Sequence, residues 1–136
     1  MAKLFADFVS LEQAHFKIAA LYAETNGFAH NSNEWYFEVF GYKAYGGHED
    51  YDWLAYWDTD AIPKMTLTGM EGLQEAYSNS EFWEDEYKCA RDLCDHLVVA
   101  KFQDLIRRSR SLVGSFDGPI LVTSHGYDYI AEFRNP

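Results

Sequence analysis

The sequence predicts an α+β fold: a single domain over residues 1–136 in which an antiparallel sheet of two β-hairpins packs against two or three helices. The chain has 136 residues, the length of one ordinary domain. Apolar residues make up 48% of it and aromatic residues 18%, enough to build a core that offsets the entropy of folding. Helical and strand patterns follow in the order α-ββ-α-α-ββ without an internal repeat or a linker, which is typical of this class.

The first helix is predicted from an apolar stripe. Its members recur at spacings of three and four residues, and they are Leu4, Phe8, Leu11, His15, Ile18 and Tyr22. A capping-box pattern, Ser10-x-x-Gln13, leaves the start open between about residue 2 and residue 11. Asn26-Gly27 is a favourable helix end, so the helix is predicted to stop at about residue 26.

The first hairpin is predicted over residues 34–42 and 51–57. Residues 34–42 are aromatic and β-branched, with Trp35, Phe37 and Val39 on one face of the strand. Residues 51–57 show a similar alternation of large apolar side chains. A Gly-Gly pair between the two segments suits a tight turn, and the two strands are therefore expected to pair with each other.

Two further helices are predicted in the middle of the chain. Thr68-x-x-Glu71 is a capping-box pattern before a short helix that ends near Tyr77, and Ser78-x-x-Glu81 repeats the pattern. A helical pattern then runs from residue 81 to about 113, with acidic residues first and arginines last, as the helix dipole favours. Such a helix would span about 50 Å. A break near residues 98–101 is expected for this reason, and the continuity of the helix stays open.

The second hairpin is predicted from residues 120–123 and 127–133. Both segments are rich in strand-forming residues and flank Ser124-His125-Gly126. The glycine suits a tight turn with a positive φ.

The net charge of −11 is concentrated in two blocks. Glu34–Asp60 and Glu71–Asp95 each carry a net charge of −6. This charge excludes direct binding of nucleic acid or of an anionic membrane, because both need clustered Lys and Arg. The acid at Asp7 and the absence of a long apolar run argue against a signal peptide and a membrane span, so a cytoplasmic protein is expected. Two cysteines, Cys89 and Cys94, are interpreted as buried reduced thiols.

No catalytic motif is found, and neither a cofactor nor a metal is predicted. One helix face does carry possible metal ligands, namely Asp85, Cys89, Asp92 and His96 at spacings of four, three and four. The alternative is a solvated acidic face, and the choice stays open. His125 is interpreted as a turn residue, with a general base as the alternative. His48 and the cluster of Lys101, Arg107, Arg108 and Arg110 are likewise interpreted as surface groups rather than as a base or a phosphate site.

The mixture of carboxylates with large rings is the strongest functional signal. Tyr and Trp are favoured anchors of protein interfaces, and carboxylates attract a cationic partner toward them. The alternative is a solvated acidic surface over an aromatic core. The predicted partner-binding residues are Tyr45, Glu49, Asp50, Tyr51, Asp52, Asp58, Asp60, Glu81, Trp83, Glu84, Asp85 and Glu86.

Three segments carry a family resemblance. They are Glu34-Trp35-Tyr36-Phe37-Glu38-Val39-Phe40, Leu54-Ala55-Tyr56-Trp57-Asp58-Thr59-Asp60 and the closing segment from Pro119 to Asp128. In these segments and in element order, the chain resembles small uncharacterised bacterial proteins of toxin–immunity loci. The resemblance implies a cytoplasmic, non-enzymatic inhibitor that binds one cognate toxin, commonly a basic nuclease.

Two other functions remain open at the level of sequence. A phage-type DNA mimic that blocks a restriction or nucleic-acid-guided defence enzyme would need its carboxylates in a row at phosphate spacing, whereas an immunity-type protein needs one compact patch. A metal- or histidine-dependent hydrolase would use His125 or the pair Asp92 and His96. The oligomeric state does not follow from the sequence.

Overall fold

The computed structural model describes residues 2–27, 31, 33–60, 62–114, 116–126 and 129–134. Within these ranges the helices are α1 (Ala2–Gln13), α2 (Glu71–Ser78) and α3 (Lys88–Arg110). The strands are β1 (Ala20–Thr25), β2 (Tyr36–Tyr42), β3 (Met65–Thr66), β4 (Ile120–Ser124) and β5 (Ala131–Phe133). The predicted α+β class is confirmed. The start of the last predicted strand, Tyr127 and Asp128, lies outside the described residues.

The strands form one mixed sheet in the order β3-β2-β1-β4-β5. β1 lies at the centre, antiparallel to β2 and parallel to β4, with Leu21 opposite Ile120. The hairpin of β4 and β5 forms as predicted. The prediction of a wholly antiparallel sheet from two hairpins is wrong, because β2 pairs with β1 and β3 and because β1 and β4 run in parallel.

The helix predicted up to residue 26 is wrong in its second half. α1 ends at Gln13, and residues 20–25 form the central strand β1. Leu21 and Ala23 face the helices, while Ala20 and Tyr22 face the other side of the sheet, and all four are buried. A strand buried on both faces reads as an apolar run, which periodicity cannot distinguish from a buried helix.

The first face of the sheet carries the main core. Helices α1, α2 and α3 cover this face and contribute Phe5, Val9, Tyr77, Phe102 and Ile106 to it. The sheet contributes Leu21, Phe37, Val39, Ile120 and Val122, all of them buried. This packing holds the helices in one layer and fixes which side of each helix faces outward.

The second face is covered by irregular chain instead of a strand. The predicted strand at residues 51–57 is wrong, since Asp52–Ala55 form a short 3-10 helix. Trp53 and Leu54 of this helix and the preceding Tyr51 pack on a cluster formed by Ala20, Tyr22, Phe40, Tyr42 and Leu121. A Cβ atom at Gly46 would lie 2.3 Å from the Trp53 ring, so glycine is needed where this segment passes the indole. The alternation of apolar residues over 51–57 therefore reflects side-chain packing against the sheet and not strand pairing within it.

The long helical segment is interrupted at a different place from the predicted one. α3 runs unbroken through residues 98–101, because Val98, Val99 and Phe102 pack continuously on the core. The interruption lies at Glu84, between the 3-10 helices Ser80–Trp83 and Asp85–Tyr87.

The capping boxes predicted around α2 do not form, although the helix does. At its start the Glu71 carboxylate accepts a hydrogen bond from the backbone N–H of Gly69 (2.8 Å). After its end, Asn79 rather than Ser78 caps the next turn, by accepting from the N–H of Glu81 (3.0 Å). Among the described residues, none of the helices combines the length and the apolar character needed to cross a bilayer.

Candidate functional site

Residues 43–60, here called the aromatic loop, lie over the second face of the sheet. Hydrogen bonds to β2 and within the loop hold them in place. The Tyr42 hydroxyl donates to the carbonyl of Leu54 (2.8 Å), and the Trp53 indole N–H donates to the carbonyl of Gly47 (3.1 Å). The N–H of Asp52 donates to the Asp50 carboxylate (2.8 Å). The loop is therefore ordered before any partner arrives, which lowers the entropy cost of binding.

Asp58 closes the loop onto β2. Its carboxylate accepts a hydrogen bond from the backbone N–H of Lys43 (2.7 Å) and lies 3.2 Å from the Lys43 ammonium. The hydrogen bond from that N–H, followed by the effect of the ammonium, holds the pKa of Asp58 below its ordinary value. Among the predicted contact residues, Asp58 therefore already has a partner within the fold.

The exposed rings of the loop are Tyr56 and Trp57, at 80% and 47% exposure. The predicted anchors Tyr45 and Tyr51 are instead partly buried against the second-face cluster. Tyr45 also donates to the Glu132 carboxylate (2.9 Å), and burial with this hydrogen bond raises its pKa. The sequence reasoning placed Tyr56 and Trp57 in a strand and so missed their exposure.

Four acidic side chains of the aromatic loop are exposed: Glu49, Asp50, Asp52 and Asp60. Within the described part of the chain, none of them forms an ion pair with Lys, Arg or His. Their charge is therefore available to a cationic partner.

Residues 80–87, here called the acidic turns, form a second surface. Glu81, Glu84, Asp85 and Glu86 are exposed there. The indole N–H of Trp83 donates to the carbonyl of Tyr77 (2.9 Å), and Arg91 donates to the carbonyls of Phe82 and Glu84 while lying 5.4 Å from the Trp83 ring. These contacts order the turns without neutralising their carboxylates.

The two acidic surfaces lie on opposite sides of the sheet. Phe82 of the acidic turns packs on the first-face core, whereas Tyr51 and Trp53 of the aromatic loop pack on the second face. The predicted partner-binding residues therefore form two separate groups on the surface and not one patch.

The possible metal ligands of α3 are not gathered into a site. Cys89 is exposed, Cys94 is partly buried against the core, and Asp92 pairs with Lys88 (3.4 Å). The prediction that both thiols are buried is thus wrong for Cys89. In the ranges that the structure describes, no group of three His, Cys, Asp or Glu side chains has a geometry that could hold a metal ion.

The arginines of the basic cluster serve the fold in different ways. Arg107 and Arg108 pair with Asp104 on the surface of α3. Arg110 donates to the carbonyls of Phe133 (2.8 Å) and Gly118 (2.8 Å), and its partial burial lowers its pKa. Arg110 therefore ties α3 to the β4–β5 side of the sheet.

A polar cleft of about 240 Å³ lies where the parallel strands β1 and β4 end. Nδ1 of His125 is 3.2 Å from Oε1 of Glu24, and Glu38 stands opposite Glu24 across the β1–β2 pair. The Ser124 hydroxyl is buried and accepts from Thr25 (2.8 Å). The sequence singled out His125 but not Glu24, because residues 20–25 were expected to be helical. Asp128, three residues after His125, lies outside the described residues.

Comparisons with protein-family profiles, with curated proteins and with solved structures found no match to this chain.

Proposed function

We propose that the protein is a cytoplasmic, non-enzymatic inhibitor of the immunity type that binds and occludes a basic protein partner such as a nuclease toxin. One observation carries the proposal: Tyr56 and Trp57 are exposed on an ordered loop that also exposes four carboxylates without an ion-pair partner among the described residues. Rings at the centre of a contact with charges around them are the arrangement that gives protein interfaces most of their binding energy.

The mechanism is occlusion. The carboxylates of Glu49, Asp50, Asp52 and Asp60 would occupy positions that substrate phosphates take on a nuclease. They would also accelerate association, because the net charge of −11 attracts a basic protein over a distance of about 10 Å at moderate salt. Tyr56 and Trp57 would then bury apolar surface and slow dissociation.

The position of the acidic surfaces favours an immunity-type patch over a DNA mimic. A mimic needs a continuous row of carboxylates, whereas here the aromatic loop and the acidic turns lie on opposite sides of the sheet. The exposed carboxylates are therefore divided between two surfaces and do not form one continuous row across both.

The experiment captures partners on the immobilised protein from a native lysate of the source organism at low salt and identifies them by mass spectrometry. Three baits are compared: the wild type, the loop variant Asp50→Asn/Asp52→Asn/Asp60→Asn, and the turn variant Glu81→Gln/Glu84→Gln/Glu86→Gln. The two variants lose equal charge, so they separate a specific surface from general acidity.

A basic protein should be retained by the wild type and the turn variant and lost by the loop variant. With the purified partner, Tyr56→Ala/Trp57→Ala should weaken binding at least about tenfold, the range of an interface anchor. The proposal fails if no basic protein is captured, or if the loop and turn variants retain the same partner equally well.

A second candidate function, a histidine-dependent hydrolase, is favoured by the contact between His125 and Glu24 in the polar cleft. A carboxylate on Nδ1 is the arrangement that orients a catalytic imidazole. Hydrolysis of p-nitrophenyl acetate by the wild type, and its loss in His125→Gln but not in His48→Gln, would support this candidate. Equal rates for all three proteins would remove it.

A further inference from the structure

The outward side of α3 carries an apolar stripe that the core does not use. Ala90, Leu93, Leu97 and Ala100 are exposed, with Leu93 at 62% and Leu97 at 51%. They follow one another at spacings of three, four and three residues, the spacing of a helix–helix seam. These four residues are here called the α3 stripe.

The α3 stripe points away from the sheet. The core side of the same helix is formed by Val98, Phe102 and Ile106. Since each residue turns an α-helix by about 100°, Leu93 and Leu97 lie on the side roughly opposite to these three. The stripe is therefore available to a second helix, and its two alanines would allow close approach of the two backbones.

The charges near the two ends of α3 indicate which helix would pack on the α3 stripe. The turns that lead into α3 expose Glu84, Asp85 and Glu86, whereas the charges of its first half, Lys88, Arg91, Asp92 and Asp95, cancel. Three bases and one acid lie between residues 101 and 108. The turns before α3 are thus acidic, and its last turns are basic. An antiparallel copy of α3 would place each acidic end beside a basic end, while a parallel copy would place like charges together.

We propose that the protein forms a symmetric dimer in which α3 packs antiparallel on α3 of a second copy through the α3 stripe, with the two-fold axis between Leu93 and Leu97, near residue 95. Leu93 of each copy then faces Leu97 of the other, and the contact closes after two copies. The stripe spans residues 90–100, about 15 Å along the helix, so the seam is about three turns long. The aromatic loops lie beyond the sheet on the far side of each protomer and stay uncovered.

Sedimentation equilibrium over a concentration series tests the dimer. The stripe variant Leu93→Glu/Leu97→Glu is compared with Leu11→Glu, which charges a leucine of similar exposure, 60%, on α1. Both changes are at exposed positions, and circular dichroism checks that each protein is folded. The wild type and Leu11→Glu should dimerise, and the stripe variant should have a dimer dissociation constant at least tenfold higher. A wild type that stays monomeric, or a stripe variant that dimerises as well as the wild type, would overturn the proposal.

Cross-linking tests the antiparallel direction. In the background Cys89→Ser/Cys94→Ser, the variant Leu97→Cys places one thiol from each copy two residues from the two-fold axis, about 6 Å apart along the helix axis. The natural Cys89 thiols would lie about 18 Å apart along the helix axis, six residues from the two-fold on each side. Mild oxidation should therefore cross-link the Leu97→Cys protein and leave the wild type uncross-linked through Cys89. Efficient Cys89–Cys89 cross-linking in the wild type would contradict the antiparallel arrangement.

Discussion

Individual acidic residues of this protein differ in what they do, although the sequence makes them look alike. Asp58 is held by Lys43 and closes the aromatic loop, whereas Asp60, two residues later, is exposed. Glu24 and Glu38 face each other across two strands, and Nδ1 of His125 lies 3.2 Å from Oε1 of Glu24. In the composition all four count as the same charge. The fold determines which carboxylates have partners inside the protein and which are exposed to a binding partner.

Asp58→Ala should lower the free energy of unfolding by about 1 to 2 kcal/mol, since it removes a charge-assisted hydrogen bond and leaves the Lys43 N–H without its acceptor. Urea denaturation measures the change, and Asp60→Ala is the matched control that should change stability little. The folded-state pKa of Asp58 is depressed, so its contribution is complete above the unfolded-state pKa of about 4 and disappears as the pH falls through the folded value. A difference between Asp58→Ala and the wild type that does not shrink as the pH falls below about 4 would contradict this account.

Glu38→Gln should raise the free energy of unfolding by about 0.5 kcal/mol. Like charges directly opposite on neighbouring strands are destabilising, and Glu38 stands opposite Glu24. The amide keeps the size of the side chain and removes the repulsion. Thermal and urea unfolding should agree on the gain, while Glu49→Gln, an exposed glutamate in the loop, serves as the control. A loss of stability would show that the Glu38 charge is used favourably by the fold.

At the scale of elements, the aromatic loop depends on its attachment to β2. Tyr42 is buried in that strand, and its hydroxyl donates to Leu54 at the centre of the loop. The loop is not paired with a strand. This hydrogen bond and the one donated by the Trp53 indole therefore take the place of the backbone hydrogen bonds that hold a strand in a sheet. Such segments are expected to open locally before the rest of the molecule.

Tyr42→Phe should lower the free energy of unfolding by about 1 kcal/mol, because the carbonyl of Leu54 loses a buried donor. Hydrogen exchange followed by mass spectrometry should show faster exchange in residues 51–57 and little change in α3. Tyr56→Phe, which alters an exposed hydroxyl, is the control. Unchanged exchange in the loop would mean that the ring packing alone holds it.

The predictability of the elements follows from what their side chains contact. β2 and β4 are predictable because each has a strand pattern with one interpretation, whereas α2 forms although the capping boxes that predict it do not. β1 was mistaken for helix because Leu21, Tyr22 and Ala23 are buried on both faces. Residues 51–57 were mistaken for a strand because Tyr51 and Trp53 alternate for packing reasons while their backbone forms a 3-10 helix.

The candidate site was predictable in composition and not in arrangement. The acids of both surfaces were identified from the charge blocks, and they are exposed apart from Asp58. Whether a ring is buried depends on tertiary contacts. The sequence predicts Tyr45 and Tyr51 as anchors, whereas the structure buries these two in part and exposes Tyr56 and Trp57. The placement of Glu24 beside His125 spans 101 residues and has no local signal.

At the scale of the whole molecule, the net charge of −11 acts on stability as well as on partners. The charges repel one another in the compact state, and salt screens this repulsion because the Debye length falls to about 10 Å at 0.1 M. The ion pairs present are mostly exposed and contribute little. Screening should therefore stabilise the folded state.

The unfolding temperature should rise by a few degrees between about 10 mM and 0.3 M NaCl, which corresponds to about 1 kcal/mol for a domain of this size. Differential scanning calorimetry at pH 7 measures the shift. The same increase in salt should slow association with a basic partner, so the two measurements should move in opposite directions. A fall in the unfolding temperature with NaCl would show that attractive ion pairs outweigh the repulsion.

The parallel pairing of β1 with β4 has a consequence for biosynthesis. The central strand of the sheet is made early, yet one of its two neighbours consists of residues 120–124, near the other end of the sequence. Until that segment leaves the ribosome, β1 has an open edge, and Thr25 lacks its buried partner Ser124. The sheet therefore closes only after residues 120–124 have been translated and have left the ribosome, and until then the nascent chain would expose the apolar centre of the fold to the folding machinery of the cell.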